Sequence, residues 1–443
     1  MNRGSRKRQS RVVQGVALFL FLTIGMTIKA TESDSTALTS QTRPDTTTPK
    51  AFKKLKSHST WETLICLPAW IVHFPIDLTL EGMEYTVGLV LGTHLPQRIA
   101  DLLISDDGVR KVRPIFSSRS GVGLRYSHLS LLSPESRLQV GVSAGVRRRQ
   151  HYFIRLDRVP FYRTGFRGEL LLEYRNLSDE AFFGLGHQSV HENRSSYAHE
   201  LLRAEFALYR KVPLRGLYLR AATGYQVNNI LPGRSPRYPS IEQRFGQVAL
   251  PGRETGLRFW YVEGAMILDN RDTPGNPRQG GEVRLFAGLY RQATGDPHRY
   301  AFTKMGITVS RCLHLFYGRT LVLRGSAELT RTMPGKQVPF YYLAELGSQE
   351  TIRGYTRGRF RDYDRLSGSL EYRYPIWNRR VRGIDAALFW DFGQVAPNLG
   401  KVALPNLRLA YGAGLRFWSH GDLVAKLEVG FTGEGHRVIF NLY

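Results

Sequence analysis

Residues 346–362 carry several arginines separated by single glycines. Gly354 lies between Arg353 and Tyr355, and a second glycine follows four residues later between two more arginines. Glycine reaches backbone conformations that other residues rarely adopt, and a guanidinium is a rigid set of donors that suits carboxylates. The spacing predicts a loop that folds back on itself and holds guanidinium groups at fixed positions. The chemistry it indicates is ion pairing with acidic side chains.

The elements on both sides of this stretch must supply those acids, because a buried guanidinium without a carboxylate is costly. The stretch connects two predicted strands, residues 320–331 and 365–374, whose side chains alternate between two faces. Glu371 lies on the polar face of the second strand. Asp391 lies on one face of the next predicted strand, residues 383–394. These two acids are the predicted wall partners of the loop.

Four stretches resemble motifs of one protein family. Residues 352–355 read Ile-Arg-Gly-Tyr, and residues 389–393 read Phe-Trp-Asp-Phe-Gly. Residues 269–281 resemble an Asp-x-Arg-Asp…Pro-x-x-Gly periplasmic turn, and residues 182–186 read Phe-Phe-Gly-Leu-Gly. Together they resemble the bacterial surface antigen family, the BamA/TamA-like superfamily of outer-membrane β-barrel assembly proteins. The resemblance covers most of residues 110–443.

The resemblance implies a barrel whose lumen receives the loop, with Arg353, Gly354 and Tyr355 as the lumen latch and Glu371 and Asp391 on the wall. It implies insertion or translocation of polypeptides, or of lipids, at the bacterial outer membrane. It also implies a weakly zipped seam between the first and last strands, and client polypeptides or a periplasmic protein as partners. No cofactor is predicted. A passive pore or structural barrel without assembly activity stays open as the alternative.

The composition favours membrane strands over membrane helices. Hydrophobic residues make up 42% of the 443 residues, too few for a helical membrane protein, whereas a barrel alternates polar inward and apolar outward side chains. We therefore predict an all-β transmembrane barrel of about 16 antiparallel strands over residues 110–443. The strands are expected at residues 112–117, 122–132, 136–147, 150–158, 164–175, 197–212, 216–230, 255–269, 280–291, 299–315, 320–331, 365–374, 383–394, 406–417, 422–431 and 436–443.

The N-terminal part of the chain differs in composition and residue pattern from the predicted strands. Residues 1–30 combine basic residues, an apolar run and a short cleavage-like site, which is typical of a signal peptide, with an uncleaved anchor helix as the alternative. Residues 31–51 are predicted to be a flexible Thr/Ser-rich leader. Residues 52–109 are predicted to be a short periplasmic helical segment, with an amphipathic helix at residues 95–103. No POTRA domain is recognisable there, unlike in the best-known family members.

The net charge of +25 raises the question of nucleic-acid binding. No recognisable nucleic-acid motif accompanies the arginines. They occupy alternate strand positions, as at Arg408 and Arg416, or gather at a predicted strand end, as at residues 147–149. This distribution predicts a cationic lumen and rims that contact outer-membrane lipids and lipopolysaccharide, and no nucleic-acid partner.

Three other patterns could in principle carry chemistry. Residues 141–145 spell the Gly-x-Ser-x-Gly of a hydrolase nucleophile, but that motif works on a strand-to-helix turn and here it lies in a predicted strand. His187 and His191 have the spacing of helical zinc ligands but follow a glycine-rich loop and lack an evident third ligand. Cys66 and Cys312 are predicted to be two inert thiols, with a disulfide between them as the alternative. The sequence thus predicts neither an enzyme nor a metal site.

Overall fold

The computed structural model describes residues 105, 108–117, 121–161, 164–214, 216–293, 299–379 and 381–442. The chain divides into two compact units, Met1–Gly108 and Val109–Tyr443. The predicted signal peptide, leader and amphipathic helix, together with Cys66, lie outside the described residues. The strands of the described residues all belong to the second unit.

Sixteen strands form one antiparallel sheet in which sequence neighbours are spatial neighbours, except that β11 pairs with β14. The predicted all-β fold of about 16 antiparallel strands is confirmed, whereas the predicted helical N-terminal segment stays a prediction. The barrel strands are β1 Arg110–Ser117, β2 Gly121–Leu129, β3 Arg137–Gly145, β4 Arg149–Phe161, β5 Phe166–Phe182, β6 Ser195–Lys211, β7 Leu217–Pro232, β8 Leu257–Asp269, β9 Gly280–Gln292, β10 Ala301–His314, β11 Thr320–Thr332, β14 Asp364–Arg379, β15 Arg382–Ala396, β16 Arg408–Ser419, β17 Asp422–Thr432 and β18 Gly435–Leu442. Two short strands, β12 Ala344–Leu346 and β13 Phe360–Asp362, pair only with each other.

Side-chain alternation explains why this sequence forms a membrane barrel. In β15, Asp385, Phe389 and Asp391 are buried, whereas Trp390, which lies between Phe389 and Asp391, is 54% exposed. The same alternation leaves leucines and valines exposed along the outer face, as at Leu172. Outward apolar and inward polar residues are the arrangement that lipid outside and a polar lumen inside require.

Two strands run further than the sequence predicts. β5 reaches Phe182 because a bulge between Leu177 and Glu180 shifts its register against β6 and lets pairing continue. β14 continues past Pro375 to Arg379 through a second register shift. Proline lacks the N–H of a ladder residue, and an irregularity accommodates this loss.

The connections divide the barrel into two rims, because antiparallel neighbours place alternate connections at opposite ends. Long connections follow β5, β7, β11 and β15, and we call their end the long-loop rim. The opposite end, which we call the short-turn rim, has shorter connections, of which residues 270–279 between β8 and β9 are the longest.

Helical structure within the described residues is confined to connections. The α-helix α1 spans Ile241–Phe245, and the 3-10 helices are Val146–Arg148, His191–Asn193, Phe316–Gly318, Phe340–Tyr342, Leu399–Lys401 and Leu404–Asn406. In this part of the chain no helix combines the length and apolar character needed to cross a bilayer.

The first and last strands meet at a seam. β1 and β18 lie beside each other. Each is paired on its other side, β1 with β2 and β18 with β17. None of the ladders in the described part of the chain joins β1 to β18. The wall is therefore laddered everywhere except at this seam.

Candidate functional site

The connection between β11 and β14, which we call the lumen loop (residues 333–363), folds into the barrel instead of away from it. Inside it, β12 and β13 form a small ladder in which Ala344 pairs with Asp362 and Leu346 with Phe360. The stretch between these strands carries the arginine motif predicted from the sequence. The small ladder thus presents residues 347–359 to the inner wall as one compact unit.

Arg353 lies at the centre of an acidic cage and is only 3% exposed. Its Nε lies 2.8 Å from Asp391 Oδ2, and its Nη2 lies 2.7 Å from Asp391 Oδ1. Its Nη1 lies 2.6 Å from Glu371 Oε2 and 2.9 Å from Glu428 Oε1. The structure thus brings the predicted arginine to both predicted wall acids and adds a third.

Every guanidinium donor of Arg353 has an acceptor. A guanidinium has five N–H groups, and four of those of Arg353 donate to the three acids. The fifth, on Nη2, donates to Ser369 Oγ at 3.0 Å. Ser369 Oγ in turn donates to Asp391 Oδ1 at 2.7 Å. The face of the guanidinium lies 3.6 Å from the ring centroid of Phe389. Full satisfaction of the donors offsets the cost of burying this charge.

Glu428 is the site residue that the sequence reasoning missed. It is fully buried on the inward face of β17, together with Lys426 and Gly430. Its neighbours Leu427 and Phe431 face outward and are exposed. Strand alternation alone could have placed Glu428 inside the lumen, but no motif marks it as a partner of Arg353.

Two glycines allow the loop to approach the wall. Gly354 has a φ of 96°, and a Cβ on it would lie 3.1 Å from the backbone carbon of Gly430. A Cβ on Gly430 would lie 2.8 Å from the nitrogen of Gly354. Since both side chains are absent, the backbones can touch. This contact brings Arg353 within reach of β17.

Further cations surround the cage acids. Arg373 Nε lies 2.7 Å from Glu371 Oε1, and Arg416 Nη1 lies 3.4 Å from the same oxygen. Lys426 Nζ lies 2.8 Å from Glu428 Oε2. The lumen is cationic here, as predicted for Arg416, and each of these two glutamates is shared between at least two cations.

The β8–β9 turn closes the cage from the short-turn rim. Asn276 Oδ1 accepts a hydrogen bond from Arg416 at 3.2 Å, and the carbonyl of Pro277 accepts one from Arg373 at 3.0 Å. Arg278 lies 3.3 Å from Asp385 of β15. This turn, noted in the sequence only as a family-like motif, thus fixes the arginines that hold Glu371.

An aromatic anchor, residues 340–342, attaches the start of the lumen loop to the opposite wall. Phe340 packs edge-on against Phe182 and Tyr197, with ring centroids 5.2 Å apart in both pairs. The Tyr342 ring lies 4.9 Å from that of Phe302, and its hydroxyl accepts a hydrogen bond from Asn228 at 3.4 Å. The loop is therefore held on both sides of the lumen.

A third attachment joins the lumen loop to the long-loop rim. Arg359 Nε lies 2.8 Å from Glu434 Oε2, in the turn between β17 and β18, and its Nη1 donates to Ser189 Oγ at 2.8 Å. Burial disfavours the charge of Glu434, but Arg359 and His191 outweigh it and hold the pKa of this carboxyl below its ordinary value. Tyr355, the third predicted motif residue, is buried and packs edge-on against Phe360 at 5.5 Å.

The other sequence candidates have ordinary surroundings. Residues 141–145 lie within β3, where Ser143 Oγ donates to the carbonyl of His151 at 3.4 Å. His191 Nδ1 lies 2.9 Å from Glu434, and the described residues contain no group of side chains that could hold a metal ion. Cys312 is a buried free thiol of β10.

Comparison with known proteins agrees with this geometry. An Omp85 superfamily domain matches residues 136–421. Among solved structures the chain is similar to BamA from Haemophilus ducreyi lacking POTRA domains 1–3, with 14% identity, a TM-score of 0.53, and coverage of 75% of this chain and 67% of that chain. It is also similar to CdiB from Escherichia coli, with 11% identity, a TM-score of 0.49, and coverage of 73% and 60%.

The chain thus spans about three fifths of the CdiB chain. No curated protein matches it. The family match covers more than half of the chain and includes β3 to β16, which carry the lumen loop and two of the three cage acids. The chain therefore belongs to the Omp85 superfamily and is a bacterial outer-membrane β-barrel of a family that inserts or translocates polypeptides.

Proposed function

We propose that this barrel inserts or translocates polypeptides at the outer membrane and that the seam between β1 and β18 is where they engage the wall. The observation that carries the proposal is the interruption of the ladder. All other neighbouring strands of the sheet are paired, while β1 and β18 lie side by side without a ladder among the described residues.

An interrupted ladder leaves backbone N–H and C=O groups unpaired at a strand edge within the lipid bilayer. Lipid offers no hydrogen-bond partners, so an open strand edge in a membrane is costly and a closed barrel normally removes it. A strand edge also binds extended polypeptides by adding them as a new strand. The seam is thus the part of the wall that a polypeptide strand can join with the least disruption.

The lumen loop has a complementary role in this proposal. Arg353 joins Glu371 on β14, Asp391 on β15 and Glu428 on β17. These ion pairs hold the wall together up to the strand next to β18. Arg353, Gly354 and Tyr355 then act as a latch, which confines motion to the seam and keeps the lumen occupied.

The partners follow from the same arrangement. We assign client polypeptides to the seam and outer-membrane lipids, including lipopolysaccharide, to the outer face, where arginines gather at the β3–β4 turn. A passive pore is the competing function. It requires a lumen that conducts, whereas the lumen loop and the β8–β9 turn both enter this one.

Reconstitution into liposomes tests the proposal. We expect the folding rate of an added client barrel to rise above that in empty liposomes, with little ion conductance. Arg353→Ala should lower the rate, and Arg299→Ala, which removes an exposed rim charge, should leave it unchanged. High conductance without faster client insertion would establish the passive pore instead.

A further inference from the structure

The four strands around the seam, β18 and β1 to β3, contain no aspartate or glutamate. Among the other described strands, β7, β10 and β16 also lack acids, but each lies between two strands that carry them. The strands around the seam nevertheless carry the cations Arg110, Lys111, Arg113, Arg125, Arg137 and Arg437. The wall beside the seam therefore has positive charges in strands that supply no counter-charge of their own.

Strand register places Lys111 and Arg113 of β1 on the lumen side. Arg113 pairs with Arg125 of β2, and this row continues across β3 and β4 to Glu173 of β5. Glu173 is buried on the inner face, whereas Leu124, next to Arg125, is 58% exposed on the outer face. Because strand side chains alternate, Lys111 shares the inner face with Arg113, about 7 Å along the strand.

On the other edge of the seam, Arg437 of β18 also faces the lumen. It pairs with Gly430, which touches the backbone of Gly354 in the lumen loop. Its neighbour Val438 is 60% exposed on the outer face. Cations therefore face the lumen from both edges of the seam. Since like charges repel, these side chains do not hold the two edges together.

We call Lys111, Arg113, Arg125 and Arg437 the seam cations. Most lumen-facing cations elsewhere lie beside acids, as Lys304 does at 2.8 Å from Glu328. The seam cations, by contrast, have no ion pair with any residue that the structure describes. Arg113 and Arg437 are exposed, and Nε of Arg125 is buried without a hydrogen-bond acceptor. An acidic group that enters the lumen beside the seam would find these donors unoccupied.

A polypeptide strand that joins β1 at the seam points every second side chain toward the lumen. Successive inward side chains of such a strand are about 7 Å apart, which matches the spacing of Lys111 and Arg113. Opposite charges on facing residues of neighbouring strands stabilise the pairing, and like charges weaken it. Acidic side chains at the inward positions would thus face Lys111 and Arg113, with Arg437 on the opposite edge.

We propose that the seam selects client strands whose lumen-facing side chains are acidic, with Lys111 and Arg113 as the residues that recognise this charge. The inference rests on the proposed function, because it names the class of polypeptide that the seam accepts. Barrel strands carry polar side chains on the inner face, so acids there are compatible with an apolar, lipid-facing side. In β1 to β3 and β18 no acid of the wall competes with the client for these cations.

The test measures binding of three synthetic peptides to the full-length protein in detergent by fluorescence anisotropy. Each peptide alternates leucine or valine with polar residues, and two successive polar positions carry glutamate, glutamine or lysine. We expect the glutamate peptide to bind about fivefold or more tighter than the glutamine peptide, the effect of favourable opposite-charge cross-strand pairs. The lysine peptide should bind most weakly.

Disulfide capture locates the bound peptide. Each peptide carries one cysteine at an apolar position, and the protein carries a single cysteine in a background with both native cysteines replaced by serine. Val112→Cys in β1 should capture the peptide. Val283→Cys should not, because it lies in β9, which is paired on both sides.

The protein variants test which cations recognise the charge. Lys111→Gln/Arg113→Gln should reduce the preference for glutamate over glutamine to less than about twofold. Arg284→Gln is the matched control and should keep the full preference. Arg284 is likewise exposed and lumen-facing, but it lies on β9, away from the seam, with Glu282 on the same face of its strand.

The outcomes separate this inference from the proposed function. Equal binding of the glutamate and glutamine peptides, with capture at residue 112, would overturn charge selection and leave strand addition at the seam in place. A preference that persists in Lys111→Gln/Arg113→Gln would overturn the role of these two residues. Capture of none of the peptides at residue 112 would overturn the proposed function together with this inference.

Discussion

Arg353 donates three hydrogen bonds to Asp391. The backbone N and Nε donate to Oδ2 at 2.9 and 2.8 Å, and Nη2 donates to Oδ1 at 2.7 Å. The carboxylate therefore fixes the main chain of the lumen loop as well as its side chain. Because both residues are buried, the pair is shielded from water and salt, unlike the ion pairs at the rims.

Removing the guanidinium should destabilise the barrel strongly. Arg353→Ala leaves three acids facing each other, and losing one member of a buried ion pair costs about 3 to 5 kcal/mol. Arg353→Lys should recover only part of this, because an ammonium cannot form the paired contact with Asp391. Urea unfolding in liposomes measures the free energy of unfolding. Arg299→Ala, which breaks an exposed pair with Glu254, is the control and should cost about 0 to 1 kcal/mol. A loss that small for Arg353→Ala would refute the cage.

Arg353 and Asp391 should be energetically coupled. The double variant Arg353→Ala/Asp391→Asn should lose less stability than the sum of the single variants, by about 0.5 to 3 kcal/mol, because both changes break one interaction. Pairing Arg353→Ala with Asp157→Asn, whose partner is Arg137 on β3, should give additive losses instead. Strict additivity in both double variants would mean that the contact contributes nothing measurable.

Gly430→Ala should release the lumen loop without changing any charge. Its added methyl group would lie 2.8 Å from the nitrogen of Gly354, too close for the loop to stay in place. We expect faster cleavage of the loop by added protease. Gly325→Ala introduces the same methyl group in a strand where nothing lies within 4 Å, and it should leave the cleavage rate unchanged. Equal protection of the loop in both variants would show that this backbone contact is dispensable.

The attachment at Glu434 should depend on pH. Its folded-state pKa is lowered by Arg359 and His191, so its contribution to stability is fully present above the unfolded pKa of about 4.3. The contribution disappears as the pH falls from there through the folded pKa. Protease sensitivity near Arg359 should therefore rise below about pH 4, and Glu434→Gln should show the raised sensitivity already at pH 7. A pH profile identical in the two proteins would exclude this role.

The sequence predicts the wall better than the contacts inside it. Alternation locates all sixteen strands and the inward faces of Glu371 and Asp391, because each depends only on nearby residues. The pairing of Glu428 with Arg353 and the packing of the aromatic anchor at residues 340–342 could not be predicted this way. Their partners lie tens of residues away along the chain, and which lumen residues meet depends on how deeply the loop enters.

The contacts of the β8–β9 turn could not be predicted for the same reason. Its sequence motif signals a family-like turn, but the contacts of Asn276 with Arg416 and of Pro277 with Arg373 depend on barrel closure. The extension of β5 is not predictable because its bulge has no sequence signature of its own. Residues 1–104 lie outside the described structure, so the predictions made for them stay predictions.

The most direct test of the account is to lock the seam and measure client insertion. In a background with both native cysteines replaced by serine, single cysteines at residues 112–115 of β1 are combined with single cysteines at residues 436–439 of β18. The insertion rate of a client barrel is then measured before and after reduction of each disulfide that forms. Equivalent disulfides between β9 and β10 serve as the control. The account predicts a rate equal to that of empty liposomes with the seam oxidised and full recovery on reduction. An oxidised seam that inserts the client as fast as the reduced one would contradict it.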